Sequence, residues 1–150
     1  MIVYVGSDHR GFPSKQHIID YLKHQGIATM DVGDEKLDPE DDFPVYAARA
    51  VTAIRSNTDP DARAILLCGS GQGMVMAANR FRGIRAGLGW SIDAAKGIRN
   101  DEDSNVLALP AEFLDDDETN AFAIVDAFLH TPFAAAPRYI RRNKELDDLS

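Results

Sequence analysis

Between residues 68 and 73 the chain reads Cys-Gly-Ser-Gly-Gln-Gly, one thiol and three alternating glycines, just after the apolar run Ala64-Ile65-Leu66-Leu67. Glycines at that spacing let neighbouring backbone N–H groups converge on one point, a nest suited to a phosphate or to an enediolate oxyanion. Cys68 stands where a strand ends and a helix begins, a position that favours the thiolate and lets it act as a base. A lone cysteine is equally at home as a small buried hydrophobe, and the glycines alone would serve a tight strand-to-helix turn. The dinucleotide pattern G-x-G-x-x-G is not met by G-x-G-x-G, and no lysine follows to complete a P-loop.

Two further groups carry anion-binding or proton-transfer chemistry. Asp8-His9 lies in a turn-rich segment after the apolar run Ile2-Val3-Tyr4-Val5, where the histidine can contact a phosphate or relay a proton; a turn-capping Asp beside an exposed His is the plainer alternative. Arg138 and Arg142 are four apart and share one helix face, so their guanidinium forks can hold a phosphate, although such a face is more often simply solvated. His17, His24, His130 and Trp90 have no comparable setting.

The elements that must position these groups follow from hydrophobic periodicity and turn residues. Strands are expected at 2–5, 27–32, 64–67, 85–89 and 105–109. Helices are expected at 13–24, 43–55, from the glycine turn to 82, at 91–99, at 118–129 and at about 137–149. Near-continuously apolar strands alternating with helices make an α/β fold, a Rossmann-like three-layer αβα sandwich on a five-stranded parallel sheet. The loops at the strand carboxyl ends, 7–11, 68–73, 89–91 and the one after Leu109, then share one edge, where such folds bind ligands.

At 150 residues, 45% of them hydrophobic, the chain has the size and composition of one globular domain spanning 1–150. Twenty-four acids against sixteen Lys and Arg give a formal charge of −8, which repels a phosphate backbone and argues against nucleic acid as partner. No apolar run is long enough to cross a membrane and the amino terminus lacks a signal-peptide pattern, so a cytoplasmic protein is expected. One cysteine permits no internal disulfide, and no His/Cys cluster has zinc-ligand spacing.

Several separated motifs, in order, resemble the type B ribose-5-phosphate isomerase and galactose-6-phosphate isomerase family. They are Ser7-Asp8-His9-Arg10-Gly11-Phe12, Asp31-Val32-Gly33, Asp42-Phe43-Pro44, Cys68-Gly69-Ser70-Gly71 with Ala77-Ala78-Asn79, Gly83-Ile84-Arg85-Ala86, Asn105-Val106-Leu107-Ala108-Leu109, and Arg138 with Arg142. The resemblance implies an aldose–ketose isomerase of a phosphorylated sugar that needs no metal or cofactor, a homodimer or homotetramer with sites shared between subunits. It implies that Cys68 is the base moving a proton between C1 and C2 through a cis-enediolate, with Ser70 beside it and Asp8 at the sugar ring. Gly69, Gly71, Gly73 and Asn79 would form the anion hole, and His9, Arg138 and Arg142 would bind phosphate.

The likeness breaks around residue 101. Where the family typically has Arg-x-His-Asn-Asp-Ala, this chain has Arg99-Asn100-Asp101-Glu102-Asp103-Ser104, so Asp101 stands in place of the ring-opening histidine and Glu102 in place of the Asn. Glu112 falls where the resemblance places an Arg that reaches the ligand from the neighbouring subunit. Three expectations follow: a protonated Asp101 still opens a ribose 5-phosphate ring; or the substrate is a tetrose 4-phosphate, which cannot close a furanose; or a partner chain completes the site. A non-catalytic sugar-phosphate-binding subunit and, less simply, a thiol-redox module are the rivals from other classes. Glu112 would repel a phosphate, so it must turn away or the ligand must be held differently.

Overall fold

Val3, Val5, Ile65, Leu67, Leu107 and Leu109 point to one side of a central sheet, and Tyr4, Ala64, Leu66, Cys68, Val106 and Ala108 to the other, as the two-residue period of a strand requires. The computed structural model describes residues 1–114 and 119–149. Its five strands are β1 (Ile2–Ser7), β2 (Ala28–Asp31), β3 (Arg63–Cys68), β4 (Ala86–Leu88) and β5 (Val106–Pro110). All pairs are parallel, in the order β2-β1-β3-β5-β4.

The helices are α1 (Phe12–His24), α2 (Phe43–Ser56), α3 (Gln72–Ala78), α4 (Ile92–Asn100), α5 (Thr119–His130) and α6 (Pro137–Asp147). Ile18, Ile19 and Leu22 of α1 and Ile124, Val125 and Phe128 of α5 close one face of the sheet. Tyr46, Ala47, Ala50 and Val51 of α2 and Met74 and Ala78 of α3 close the other, giving the expected three layers.

Strand β1 lies between β2 and β3, so the chain leaves β1 in one direction and returns on its other side. The carboxyl ends of β1 and β3 therefore flank the crevice where parallel α/β sheets take ligands. The loop after β1 is partly a 3-10 turn at His9–Gly11, capped by Asp8. A Cβ on Gly11 would stand 2.6 Å from Leu67 Cβ, so this turn rests directly on the end of β3.

Element ends differ from the expected ones for local reasons. Edge strand β2 covers only four residues, and its side chains are largely exposed. Helix α3 stops at Ala78 rather than 82, because Asn79 turns its amide onto the backbone of Ala86 and Gly83 reverses the chain at φ +77°. Helix α6 ends at Asp147, and the expected start of the preceding helix at Glu118 lies outside the described residues.

Lys15 of α1 is fully buried, its ammonium donating to Asp31 Oδ1 and Oδ2 at 3.0 and 2.7 Å and to Asp34 O at 2.6 Å. It ties α1 to the end of β2 and to the loop leading to α2. Removing one partner of a buried pair strands the other charge, whereas an apolar residue of similar size in place of the ion removes the need for a partner. Asp31→Ala is expected to lower unfolding free energy by about 3–5 kcal/mol in urea titration, and Lys15→Met by clearly less.

Candidate active site

Cys68 closes β3 with only 6% of its surface exposed, and the backbone N–H of Gly71 donates to its Sγ at 3.1 Å. That bond requires the chain to reverse at Gly71, which has φ +73° and whose added Cβ would lie 2.5 Å from Leu88 Cδ1. Only glycine fits both demands. Gly73 lies under the Phe43 ring, and Gly69 lies under the Arg10 guanidinium, with similarly close approaches. Ser70 stands between them, its hydroxyl accepting a long bond from the Gln72 N–H at 3.4 Å. The Gly71 amide, expected in an anion hole, is thus aimed at the thiol sulfur.

Across the crevice, Asp8 is buried and its Oδ1 accepts from the N–H groups of Arg10 and Gly11 at 2.9 and 3.2 Å. Burial raises its carboxyl above the ordinary value, against the pull of those two bonds. His9 Nδ1 meets Asp41 Oδ1 at 2.6 Å, and the His9 backbone N–H donates to the same oxygen at 3.1 Å. The Asp41 bond holds the imidazole above its usual pKa of 6.5, against a small desolvation effect. Burial opposes ionisation of Asp41, but the bonds from His9 prevail and keep its carboxyl below the ordinary value. With Nδ1 engaged, Nε2 is the nitrogen left for a ligand.

Asp8, His9 and Asp41 place one ligand atom each within 4.8 Å of one another, the grouping among the described residues that could hold a cation. Asp8 Oδ1 and His9 Nδ1 are already spent on hydrogen bonds, so the arrangement acts as a carboxylate–imidazole pair. Asp41 was not singled out from the sequence. It belongs to an acidic run that reads as solvated loop, and only folding brings it 32 positions back to His9.

Glu112 lies at the crevice lip and pairs with the Arg10 guanidinium of the same chain through Nε and Nη2. Its backbone N–H donates to Gly69 O at 3.0 Å, and that of Ala111 to Cys68 O at 3.0 Å, which locks the segment after β5 onto the cysteine turn. The acid expected to repel a phosphate is therefore offset by a cation. The sequence signal for it was the arginine directly after His9.

The remaining expected site residues are elsewhere. Asp101 caps α4 at the opposite edge of the sheet, where its carboxylate accepts from Asn100 Nδ2 at 2.7 Å and its carbonyl from Asn143 Nδ2 at 3.2 Å. Glu102 lines a cavity there beneath Leu146 and Asp147, and burial, then the Asp101 charge, pushes its carboxyl above the ordinary value. Arg138 and Arg142 are exposed on α6, which docks at this edge through Asn143 and through Asp147 on Arg85. Asn79 is at this edge too: its amide donates to Ala86 O at 2.9 Å and accepts from Ala86 N–H at 2.8 Å. It braces β4 and does not join the glycine nest, which corrects the expectation. One chain thus carries two groups: Cys68, Ser70, Asp8 and His9 at one edge, and Asp101, Glu102, Arg138 and Arg142 at the other.

Comparison with known proteins gives a consistent picture. The family model described as Ribose/Galactose Isomerase matches residues 3–146. A ribose-5-phosphate isomerase B of Mycolicibacterium paratuberculosis is 41% identical over 142 residues, 95% of this chain and 87% of its own. The crystal structure of ribose-5-phosphate isomerase B from Mycoplasma genitalium with bound ribulose-5-phosphate superposes with a TM-score of 0.91 at 32% identity, covering 99% of this chain and 95% of that one. A 4-deoxy-4-sulfo-D-erythrose isomerase of Clostridium sp. (strain MSTE9) is 38% identical over 109 residues, 73% of this chain and 67% of its own.

The His9–Asp41 pair makes a direct prediction. Asp41→Asn removes the charge that holds the proton on His9, so the His9 pKa, followed by NMR, is expected to fall toward 6.5. A histidine whose folded pKa is raised stabilises the fold fully below its unfolded pKa and loses that contribution as pH rises through the raised value. The destabilisation by Asp41→Asn should therefore be larger at pH 5.5 than at pH 9.

Proposed function

We propose that this chain, which belongs to the ribose/galactose isomerase family, interconverts ribose 5-phosphate and ribulose 5-phosphate. It is an aldose–ketose isomerase of sugar phosphates, and the observation that carries the finer reading is the Cys68 thiol under the Gly71 amide at the crevice. A thiolate there removes the C2 proton of the open-chain aldose. The C2–H electron pair moves into the C1–C2 bond and the carbonyl pair onto O1, giving a cis-enediolate. The thiol delivers a proton to C1, after partial exchange with solvent, while the O2 hydroxyl proton passes to O1 and O2 becomes the ketone oxygen, so atoms and electrons balance and no redox partner enters. Backbone N–H groups of Gly69 and Gly73 meet the enediolate charge, which exists only along the reaction path.

Asp8 and Ser70 stand where sugar hydroxyls would lie, and the protonated His9 holds the phosphate through Nε2. Arg138 and Arg142 complete that contact from a second copy of the chain, because within one chain they lie at the other edge of the sheet. The working form is accordingly a homodimer or homotetramer with shared sites, operating in the cytoplasm. Among the described residues no helix is long and apolar enough to cross a membrane. A pentose phosphate must first open its ring, and on this reading Asp101, reaching the partner's site in protonated form, gives its proton to the ring oxygen.

A second reading has its own support. A four-carbon sugar bearing its anion at C4 has no free 4-hydroxyl and needs no ring-opening acid, which suits a chain with Asp101 and Glu102 where the family resemblance has His and Asn. The relative named for 4-deoxy-4-sulfo-D-erythrose is a family member of that kind. An isomerase of a tetrose 4-phosphate is therefore the alternative.

Deuterium uptake from D₂O, observed by NMR with ribulose 5-phosphate and separately with erythrose 4-phosphate, tests both. Exchange is expected with one of the sugars, and Cys68→Ala should slow it by about 10²–10⁴-fold. Undiminished exchange in that variant would remove Cys68 from the mechanism. Faster turnover of the tetrose would select the second reading. If ring opening limits a pentose phosphate, Asp101→His should raise its turnover and leave the tetrose unaffected.

A further inference from the structure

The sheet order sets the loop after β1, the cysteine turn after β3 and the segment after β5 side by side. Arg10 belongs to the first of these and Glu112 to the third, 102 positions away, so their ion pair spans the turn between them. Glu112 Oε1 engages both Nε and Nη2 of the guanidinium. Among the described residues Nη1 bonds to no acceptor, and it stands 2.9 Å from the point where a Cβ on Gly69 would lie.

A strut between loops does not explain this arrangement. The Asp8 N–H donates to Leu67 O at 3.3 Å, that of Ala111 to Cys68 O at 3.0 Å and that of Glu112 to Gly69 O at 3.0 Å, so backbone bonds already tie the three segments together. The Arg10 and Glu112 side chains are 52% and 43% exposed, and an ion pair so open to water adds little stability.

Gly69 points the same way. Its φ lies outside the left-handed region that Gly26, Gly71 and Gly83 occupy, so its backbone conformation does not itself call for glycine. What a Cβ would meet there is the guanidinium, 2.6 Å from Cζ and 2.7 Å from Nε. The residue next to the thiol is thus bare where the Arg10 head group rests.

Glu112 cancels the net charge of Arg10, so the pair is not an attractor of free anions. What it supplies is a planar donor held in one place beside Cys68. A donor fixed before the substrate arrives suits an oxygen that is neutral in the bound sugar and gains charge only as the reaction proceeds.

We propose that Arg10 is a catalytic residue of the isomerisation, with Nη1 donating to the aldose O1 as negative charge develops there, and that Glu112 is the positioning residue that holds the guanidinium against Gly69. The assignment rests on the isomerase reading of the Cys68 site. It adds a side-chain donor to the backbone N–H groups of Gly69 and Gly73.

Steady-state kinetics of the full-length protein, with ribulose 5-phosphate and separately with erythrose 4-phosphate, test it. Arg10→Gln is expected to lower kcat about 10²-fold and to leave KM little changed, because the contact tightens in the transition state. Arg10→Lys should recover part of that loss. Glu112→Gln should cost less than Arg10→Gln, since the donor stays and only its aim is lost. Gly69→Ala keeps the N–H but displaces the guanidinium, so it should lower kcat by itself and add little beside Arg10→Gln. All of these variants should melt close to the unmodified protein. An Arg10→Gln enzyme with undiminished kcat, a loss confined to KM, or a Gly69→Ala cost that is the same with Arg or Gln at position 10 would overturn the proposal. Equal losses in Arg10→Gln and Glu112→Gln, with lowered melting temperatures, would make the pair a strut and overturn it too. If the unmodified protein turns over neither sugar, the isomerase reading falls and the role of Arg10 with it; full turnover by Arg10→Gln overturns this proposal alone.

Discussion

The hydrogen bond from the Gly71 N–H to Cys68 Sγ sets the terms for the rest of the molecule. To make it, the chain must reverse within three residues of the end of β3, and the turn must pass so close to Leu88 and the Leu109 carbonyl carbon that no side chain fits at 71. Its neighbours close in on the same terms: Phe43 over Gly73, Arg10 over Gly69 and the 3-10 turn over Leu67. Since Phe43 begins α2, the acidic loop before it is drawn back across the sheet edge, and that return delivers Asp41 to His9. The positions of the thiol, the imidazole and its carboxylate partner follow from one close-packed turn.

The cations around the crevice are each held by an acid before any ligand arrives. His9 is met by Asp41, Arg10 by Glu112, and behind them Lys15 by Asp31. Such pairing limits the cost of burying charge and fixes each donor's direction, so an incoming anion meets oriented groups instead of reorganising them. At the lip Glu112 is met by Arg10 of the neighbouring loop, so the acid does not stand there as an uncompensated charge. The arginines of α6, by contrast, are exposed at the other edge of the sheet.

Much of this was legible in the residues. Alternation of apolar strands with helices was enough for the parallel three-layer fold, and the Cys68–Gly73 spacing marked the turn that now shows the thiol under an amide. Long-range pairings were not legible. Asp41 sits in a run of acids with no periodicity to distinguish it, and Glu112 could be read as repulsive only until folding put Arg10 against it. Asn79 was grouped with the glycine turn on the family resemblance alone, yet a helix of seven residues carries it about 10 Å back along the sheet, where its amide bonds the backbone of Ala86. Strand order was beyond reach, since patterning fixes which face of a strand is buried and says nothing of its neighbour.

The central claim is that the catalytic unit is built from opposite edges of two copies, with Cys68 from one and Arg142 from the other. Mixing Cys68→Ala protein with Arg142→Gln protein, each inactive alone, and exchanging their subunits tests it most directly. Hybrid dimers would hold one intact site and one doubly altered site, so activity should return to about a quarter of that of the unmodified protein at equal chain concentration. A mixture that stays inactive after verified subunit exchange would contradict the account and require every catalytic group to come from a single chain.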